Sequence, residues 1–384
     1  MTMSMPGDAV QSAATSHTEL AVRPEHPVAG RPSRLRLAVL GKVGGVTLRI
    51  LPKIPDRVKR LLLGGRRVTI DGNTLDTTLQ LMLSGQNAVK AGGLVASSDV
   101  SVARAEITKL SQNLDSGIAA TTTDITIPGP AGPLRARHYQ PDVTGATPLL
   151  VFFHGGGFVV GGIESHDAPC RLICRDAGVQ VVSVEYRLAP EHPAPAAADD
   201  CYATYLWCVE NAARLGADPA KIAVGGDSAG GNLAAVVSQM ARDRHAPLPA
   251  VQLLIYPVTN FASDTRSKVL FAEGYFLSKI DMDWFRANYL AESALDPSDP
   301  RVSPLLAEDL SGLPPALVLT GGFDPLRDEG DAYAAALAAA GVPVDHRTYG
   351  SLVHGFANFF PMGGDSATAT ADFVSAFRDR KSVV

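Results

Sequence analysis

Two stretches of this 384-residue chain combine residue types that can do covalent chemistry: Gly226-Asp227-Ser228-Ala229-Gly230 and His154-Gly155-Gly156-Gly157. A serine hydroxyl is a poor nucleophile until a neighbouring base accepts its proton, and that base needs a third group to hold its tautomer and steady its charged form. His354, in Ser351-Leu352-Val353-His354-Gly355-Phe356, is the expected base, and Asp324 the expected acid. Asp328 and Glu329 are rival acids that fall inside the following helix. Such a set performs two-step acyl transfer: Ser228 attacks a carbonyl, His354 carries the proton, and backbone amides hold the oxyanion. Glycines after His154 let backbone approach a substrate carbonyl, so Gly155 and Gly156 are read as donors, with the Ala229 amide as a third, and His154 as a structural holder of the loop.

These residues need elements to bring them together. Short apolar runs at 149–153, 179–186, 221–224, 251–256 and 316–320 look like strands buried on both faces, and helical stretches at 196–215, 229–242 and 328–340 alternate with them. The expected fold is α/β: an α/β-hydrolase fold with a mostly parallel central sheet, helices on both faces and a helical cap. Runs at 124–127 and 134–139 around a Pro-Gly-rich turn are expected to pair as a hairpin at its start, and a strand at 344–349 precedes His354. Gly226 to Gly230 then sits at a strand-to-helix turn, the setting of a nucleophile elbow, and serine, acid and histidine follow in the chain order that elbow requires. The expected division is 1–69 as an N-terminal extension, 70–120 as the N-terminal part of the cap, 121–257 and 311–384 as the catalytic domain, and 258–310 as a cap insertion with a helix at 281–290.

Composition narrows the partners. Net charge −5 gives no reason to expect nucleic acid. Cys170, Cys174, Cys201 and Cys208 lie at helical spacings and read as reduced, buried thiols; no metal and no cofactor is expected. The first thirty residues hold no signal-like apolar core, so the default location is cytoplasmic. Residues 33–67 differ from the rest: ten Lys or Arg and one acid, Asp56, stand among aliphatic residues. That pattern suits peripheral contact with anionic lipid; the bland alternative is that the cations pair with acids of the catalytic domain.

Together with Tyr186-Arg187-Leu188-Ala189-Pro190-Glu191-His192-Pro193 and Asp324-Pro325-Leu326-Arg327-Asp328-Glu329-Gly330, these motifs span residues 150–360 and resemble the bacterial hormone-sensitive-lipase-like (family IV) esterases, in the Gly-Asp-Ser-Ala-Gly subgroup and similar to actinobacterial members. The resemblance implies a small-molecule ester substrate, an acyl-enzyme intermediate and short to medium acyl chains, and it leaves room for a homodimer. It carries nothing over to residues 1–69. The Tyr186 to Pro193 loop, despite its Arg, Glu and His, reads as a rigid structural element with ion pairs. An amidase or deacetylase on the same triad, or a non-catalytic receptor of the same fold, are the competing functions; receptors of this kind lack the histidine that stands here as His354.

The rival acids separate experimentally. Asp324→Asn is expected to lower kcat by roughly 10⁴ through the wrong His354 tautomer, whereas Asp328→Asn leaves ester turnover near wild type; the reverse pattern in steady-state kinetics moves the acid to Asp328.

Overall fold

A computed structural model describes residues 50–88, 94–95, 97–114 and 116–380. The expected leader and the first part of the basic segment, 1–49, lie outside the described residues. Strands β1 (Thr121–Gly129), β2 (Gly132–Gln140), β3 (Thr147–Phe153), β4 (Gln180–Val184), β5 (Ala217–Asp227), β6 (Gln252–Ile255), β7 (Ala316–Phe323) and β8 (Val344–Val353) form one eight-stranded sheet. Their order across it is β8-β7-β6-β5-β3-β4-β2-β1. β1 and β2 pair antiparallel, as do β2 and β4; every other neighbouring pair is parallel. β4, β6 and β7 are buried along their whole length, because helices cover both faces and an exposed parallel strand would waste its apolar side chains on water.

Among the described residues the helices of seven or more residues are α1 (Asp56–Leu62), α2 (Thr77–Ala88), α3 (Val100–Asn113), α4 (Asp167–Ala177), α5 (Ala196–Glu210), α6 (Ala229–Asp243), α7 (Lys279–Leu290), α8 (Arg327–Ala339) and α9 (Gly364–Arg380). One core packs α5, α6 and α8 on one face of the sheet through residues such as Tyr205, Leu233 and Leu337. On the other face α4 and α9 contribute Ile173, Phe373 and Phe377 to a second core. The four cysteines are free and buried.

Several elements depart from their expected bounds for local reasons. Residues 73–74 belong to a two-residue ribbon with Thr69–Ile70, turned by Asp71-Gly72, both at positive φ, which is the Asp-Gly signal of a tight hairpin. α7 starts two residues before the expected 281 because Ser278 and Asp281 form a reciprocal cap at its N-terminus. The stretch 196–215 breaks after Glu210, where Asn211 caps α5 and a separate turn, Ala212–Leu215, follows. β8 continues past 349 to Val353, with a register irregularity between Tyr349 and Val353.

Strand register positions the chemistry. Phe153 at the end of β3 pairs with Gly226 on β5, so the glycine loop after β3 and the serine turn after β5 leave the sheet side by side. Phe323 of β7 pairs with Val353 of β8, and the very next residues are Asp324 and His354. All four segments emerge at the carboxyl edge of the parallel strands, where open α/β sheets hold their ligands.

The elbow itself leaves no room. A Cβ on Gly230, in the first turn of α6, would stand 1.8 Å from the Phe153 carbonyl oxygen, a backbone atom that cannot step aside without moving β3. Gly230→Ala is expected to cost at least about 2 kcal/mol in stability through overpacking, read as a lower midpoint in urea unfolding; an unchanged midpoint would show that the β3 and α6 contact is loose.

Candidate active site

Ser228 ends the turn between β5 and α6 with φ +55° and ψ −115°, a strained conformation for a residue with a side chain. The strain is held by burial and by the Ser228 amide, which donates to the Ile255 carbonyl at 2.8 Å. His354 Nε2 lies 2.9 Å from Ser228 Oγ, and His354 Nδ1 lies 2.8 Å from Asp324 Oδ2. A carboxylate only accepts, so Nδ1 carries the proton and Nε2 presents its lone pair to the serine hydroxyl. The other carboxylate oxygen, Asp324 Oδ1, accepts the Leu326 amide at 2.8 Å. All three side chains are buried, so their hydrogen bonds face little competition from water.

The rival acids point elsewhere. Asp328 accepts the Ser267 amide at 2.8 Å and pairs with Arg327. Glu329 pairs with Lys268 and accepts the Thr259 amide at 2.7 Å, fastening the loop that follows β6.

The glycine loop corrects one expectation. The Gly155 N–H donates to Asp227 Oδ1 at 2.9 Å, so it is committed inside the protein and cannot meet an oxyanion. The amides of Gly156 and Gly157 have no acceptor among the described residues, and both residues line the cavity beside Ser228. Gly156 sits at φ +114°, and a Cβ there would stand 2.2 Å from the Val160 carbonyl oxygen; only glycine fits. Ala229 opens α6 directly after the nucleophile, where a first-turn amide has no intrahelical partner. Gly157 therefore replaces Gly155 among the candidate donors. His154 is fully buried with its Nδ1–H on the Gly155 carbonyl at 2.8 Å and its ring stacked on Tyr186 at 4.2 Å; burial pushes its pKa down to about 3, leaving a neutral ring that props the loop.

Asp227 was quoted in the motif but given no task by sequence reasoning. Its carboxylate, almost wholly buried, gathers the Gly155 amide, His166 Nε2 at 3.1 Å, Asn358 Nδ2 at 3.0 Å and the Tyr256 hydroxyl at 3.4 Å. Burial alone would raise this carboxyl, but the His166 imidazole and the donated hydrogen bonds outweigh it and hold it below the usual carboxylate range. Asp227, His166 and Asn358 thus lock the glycine loop to the elbow. The available signal was an acid beside the nucleophile, where only a partnered charge survives burial.

A cavity of about 290 Å³ opens above Ser228 and His354. Ile107, Leu110 and Leu114 from α3 and its end form one wall, and Met282 and Phe285 of α7 with Phe261 form another. The two walls are joined through Asp281, whose carboxylate accepts the amides of Leu94 and Val95, each at 2.9 Å. α3 is fastened by Arg104, which donates to the Val159 and Ala189 carbonyls and pairs with Glu191 at 2.7 Å. Glu191 and Arg187, which pairs with buried Asp200 at 2.8 Å, belong to the Tyr186 to Pro193 loop, and neither lines the cavity.

Comparison with known proteins bears on the fold and the family. A family model described as alpha/beta hydrolase fold matches residues 150–358. The chain is 51% identical to the carboxylic ester hydrolase LipN of Mycobacterium tuberculosis over the full length of both, and 44% identical to the esterase LipI of the same organism, covering 66% of this chain and 81% of the relative. Among solved structures, a hyperthermophilic esterase from the archaeon Pyrobaculum calidifontis is 42% identical with TM-score 0.75, covering 79% of this chain and 98% of that one.

The Asp227 lock is tested by Asp227→Asn, which keeps the shape and removes the charge. We expect kcat to fall by about 10–100-fold with KM changed by less than about threefold, since oxyanion donors act in the transition state; a change in KM alone, in a variant whose circular dichroism is native, would deny the carboxylate a part in aligning the amides.

Proposed function

The chain belongs to the alpha/beta hydrolase family, in its hormone-sensitive-lipase-like branch, and from that membership we propose that Ser228, His354 and Asp324 cleave short- to medium-chain carboxylic esters through an acyl-enzyme. It is a carboxylic ester hydrolase. The observation that carries the residue assignment is the 2.9 Å approach of His354 Nε2 to Ser228 Oγ, with Asp324 behind the ring at 2.8 Å.

In this mechanism Ser228 Oγ adds to the ester carbonyl as its proton passes to His354 Nε2, forming a tetrahedral intermediate. Its oxyanion is held by the amides of Gly156, Gly157 and Ala229, fixed backbone donors that a folded loop and helix end hold in place. Asp324 steadies the imidazolium. Collapse breaks the bond to the leaving oxygen, which takes the proton from His354 and departs as the alcohol, leaving the acyl group on Ser228. A water then adds to the acyl carbonyl as His354 accepts its proton, and the second intermediate expels Ser228 Oγ, which takes that proton back from His354 as the free acid is released. Every bond made to Ser228 in the first half is broken in the second, so no external electron or group carrier is consumed.

Acyl length follows from the lid. A cavity closed by α3 and α7 has finite depth, so chain length beyond it gains no buried contact and meets the walls. Across p-nitrophenyl esters from acetate to palmitate, kcat/KM is expected to peak at about C4 to C8, and Ser228→Ala to lower turnover on all of them by on the order of ten-thousandfold. A maximum at palmitate would open the pocket and make the enzyme a long-chain lipase; substantial turnover by purified Ser228→Ala would remove the serine from its role.

A further inference from the structure

Helix α1 is turned inside out. Its lysine, Lys59, is buried, donating to Thr78 Oγ1 at 2.8 Å and pairing with Asp56 at 3.2 Å, whereas its aliphatic residues Val58, Leu61 and Leu62 face outward, Leu61 at 70% exposure. Positions 58, 61 and 62 stand at i, i+3 and i+4 spacing and therefore form one stripe. Ile50, just upstream, is also exposed. A helix packed only for the benefit of its own domain would bury that stripe and expose the lysine.

Cations surround the stripe. Lys53, Arg57, Arg60, Arg66 and Arg67 are exposed, and none of them forms an ion pair among the described residues. For the described part of the segment, residues 50–67, these five cations therefore give no support to the account in which the charges pair with acids of the catalytic domain. They also contrast with the rest of the surface, where Arg135 and Arg137 each engage three acids. The acid within the segment, Asp56, is engaged by Lys59.

We propose that α1 and its flanks, residues 50–67, dock the enzyme on an anionic lipid surface, with Val58, Leu61 and Leu62 entering the headgroup boundary and the five cations meeting lipid phosphates. Apolar stripe and cationic rim are the two terms that hold a peripheral element at such a surface. A nucleic acid would use the cations and leave the leucines idle. A second copy brought up to the same patch would set cations against cations. The preceding residues 33–49 carry four more cations and no acid, so their charge adds to the patch rather than complementing it. The docked element adjoins the substrate cavity: Leu51–Lys53 packs against Phe360–Met362, the turn that follows the cavity residue Phe359.

The test is co-sedimentation of the full chain with vesicles of phosphatidylcholine and phosphatidylglycerol in equal parts, against phosphatidylcholine alone. We expect binding to the anionic vesicles at least about tenfold tighter than to the neutral ones, falling by about tenfold or more between low and high salt. Leu61→Glu, and separately the pair Arg57→Glu with Arg60→Glu, should each weaken it by about tenfold, while turnover of p-nitrophenyl butyrate stays at wild type. No binding at low salt overturns the proposal. So does undiminished binding by both variants, which would put the lipid contact elsewhere in the chain, and so does capture by polyglutamate without capture by vesicles, which would assign the patch to an acidic protein. Soluble-ester turnover reads the catalytic assignment alone, so the two can fail independently.

Discussion

Phe323 opposite Val353, and Phe153 opposite Gly226, are two register pairs in a parallel sheet, and the site hangs from them. β3, β5 and β7 are bonded on both sides and cannot slip by one residue without turning every buried side chain to the opposite face, and the edge strand β8 rejoins β7 at Val353 after its irregularity. With the register fixed, the residue after each strand end is fixed too: Asp324 beside His354, the glycine loop beside Ser228. The triad distances of 2.8 and 2.9 Å are therefore consequences of backbone hydrogen bonding in the sheet, with the side chains adding only their rotamers. The serine adds strain, φ +55°, which the packed turn imposes and the surrounding sheet sustains.

The buried carboxylate of Asp227 does for the loops what register does for the strands. A charge removed from water must find donors, and those it finds belong to the glycine loop, the turn entering α4, the end of β6 and the turn after β8. By taking the first amide of the glycine loop, Asp227 decides which amides remain for substrate. All three glycines of the loop line the cavity, but the Gly155 amide is held by Asp227 whereas those of Gly156 and Gly157 have no acceptor among the described residues.

Much of this was legible from residue types and order. Ser228, Asp324 and His354 can be singled out as candidates because each follows a strand, and strands buried on both faces announce themselves as apolar runs; the structure brings the three side chains together. The glycine loop was legible as a loop, but the identity of its free amides was not: Gly155 and Gly157 are indistinguishable until the Asp227 side chain is placed, some seventy residues downstream. His166 and Asn358 were missed for the same reason, since no periodicity marks a residue whose importance is a single long-range bond. The orientation of α1 was hidden by a different cause. Its pattern of lysine among leucines reads equally well with either face inward, and the buried bond from Lys59 to Thr78 is what decides it.

The same carboxylate bears on how the enzyme comes apart. Four separate chain segments converge on Asp227, so none of them can detach alone without leaving a buried charge short of a donor. Local openings in proteins follow regions whose contacts can be lost independently, and this site offers no such seam. This coupling ties the catalytic apparatus to the sheet and favours loss of the site together with the fold rather than ahead of it.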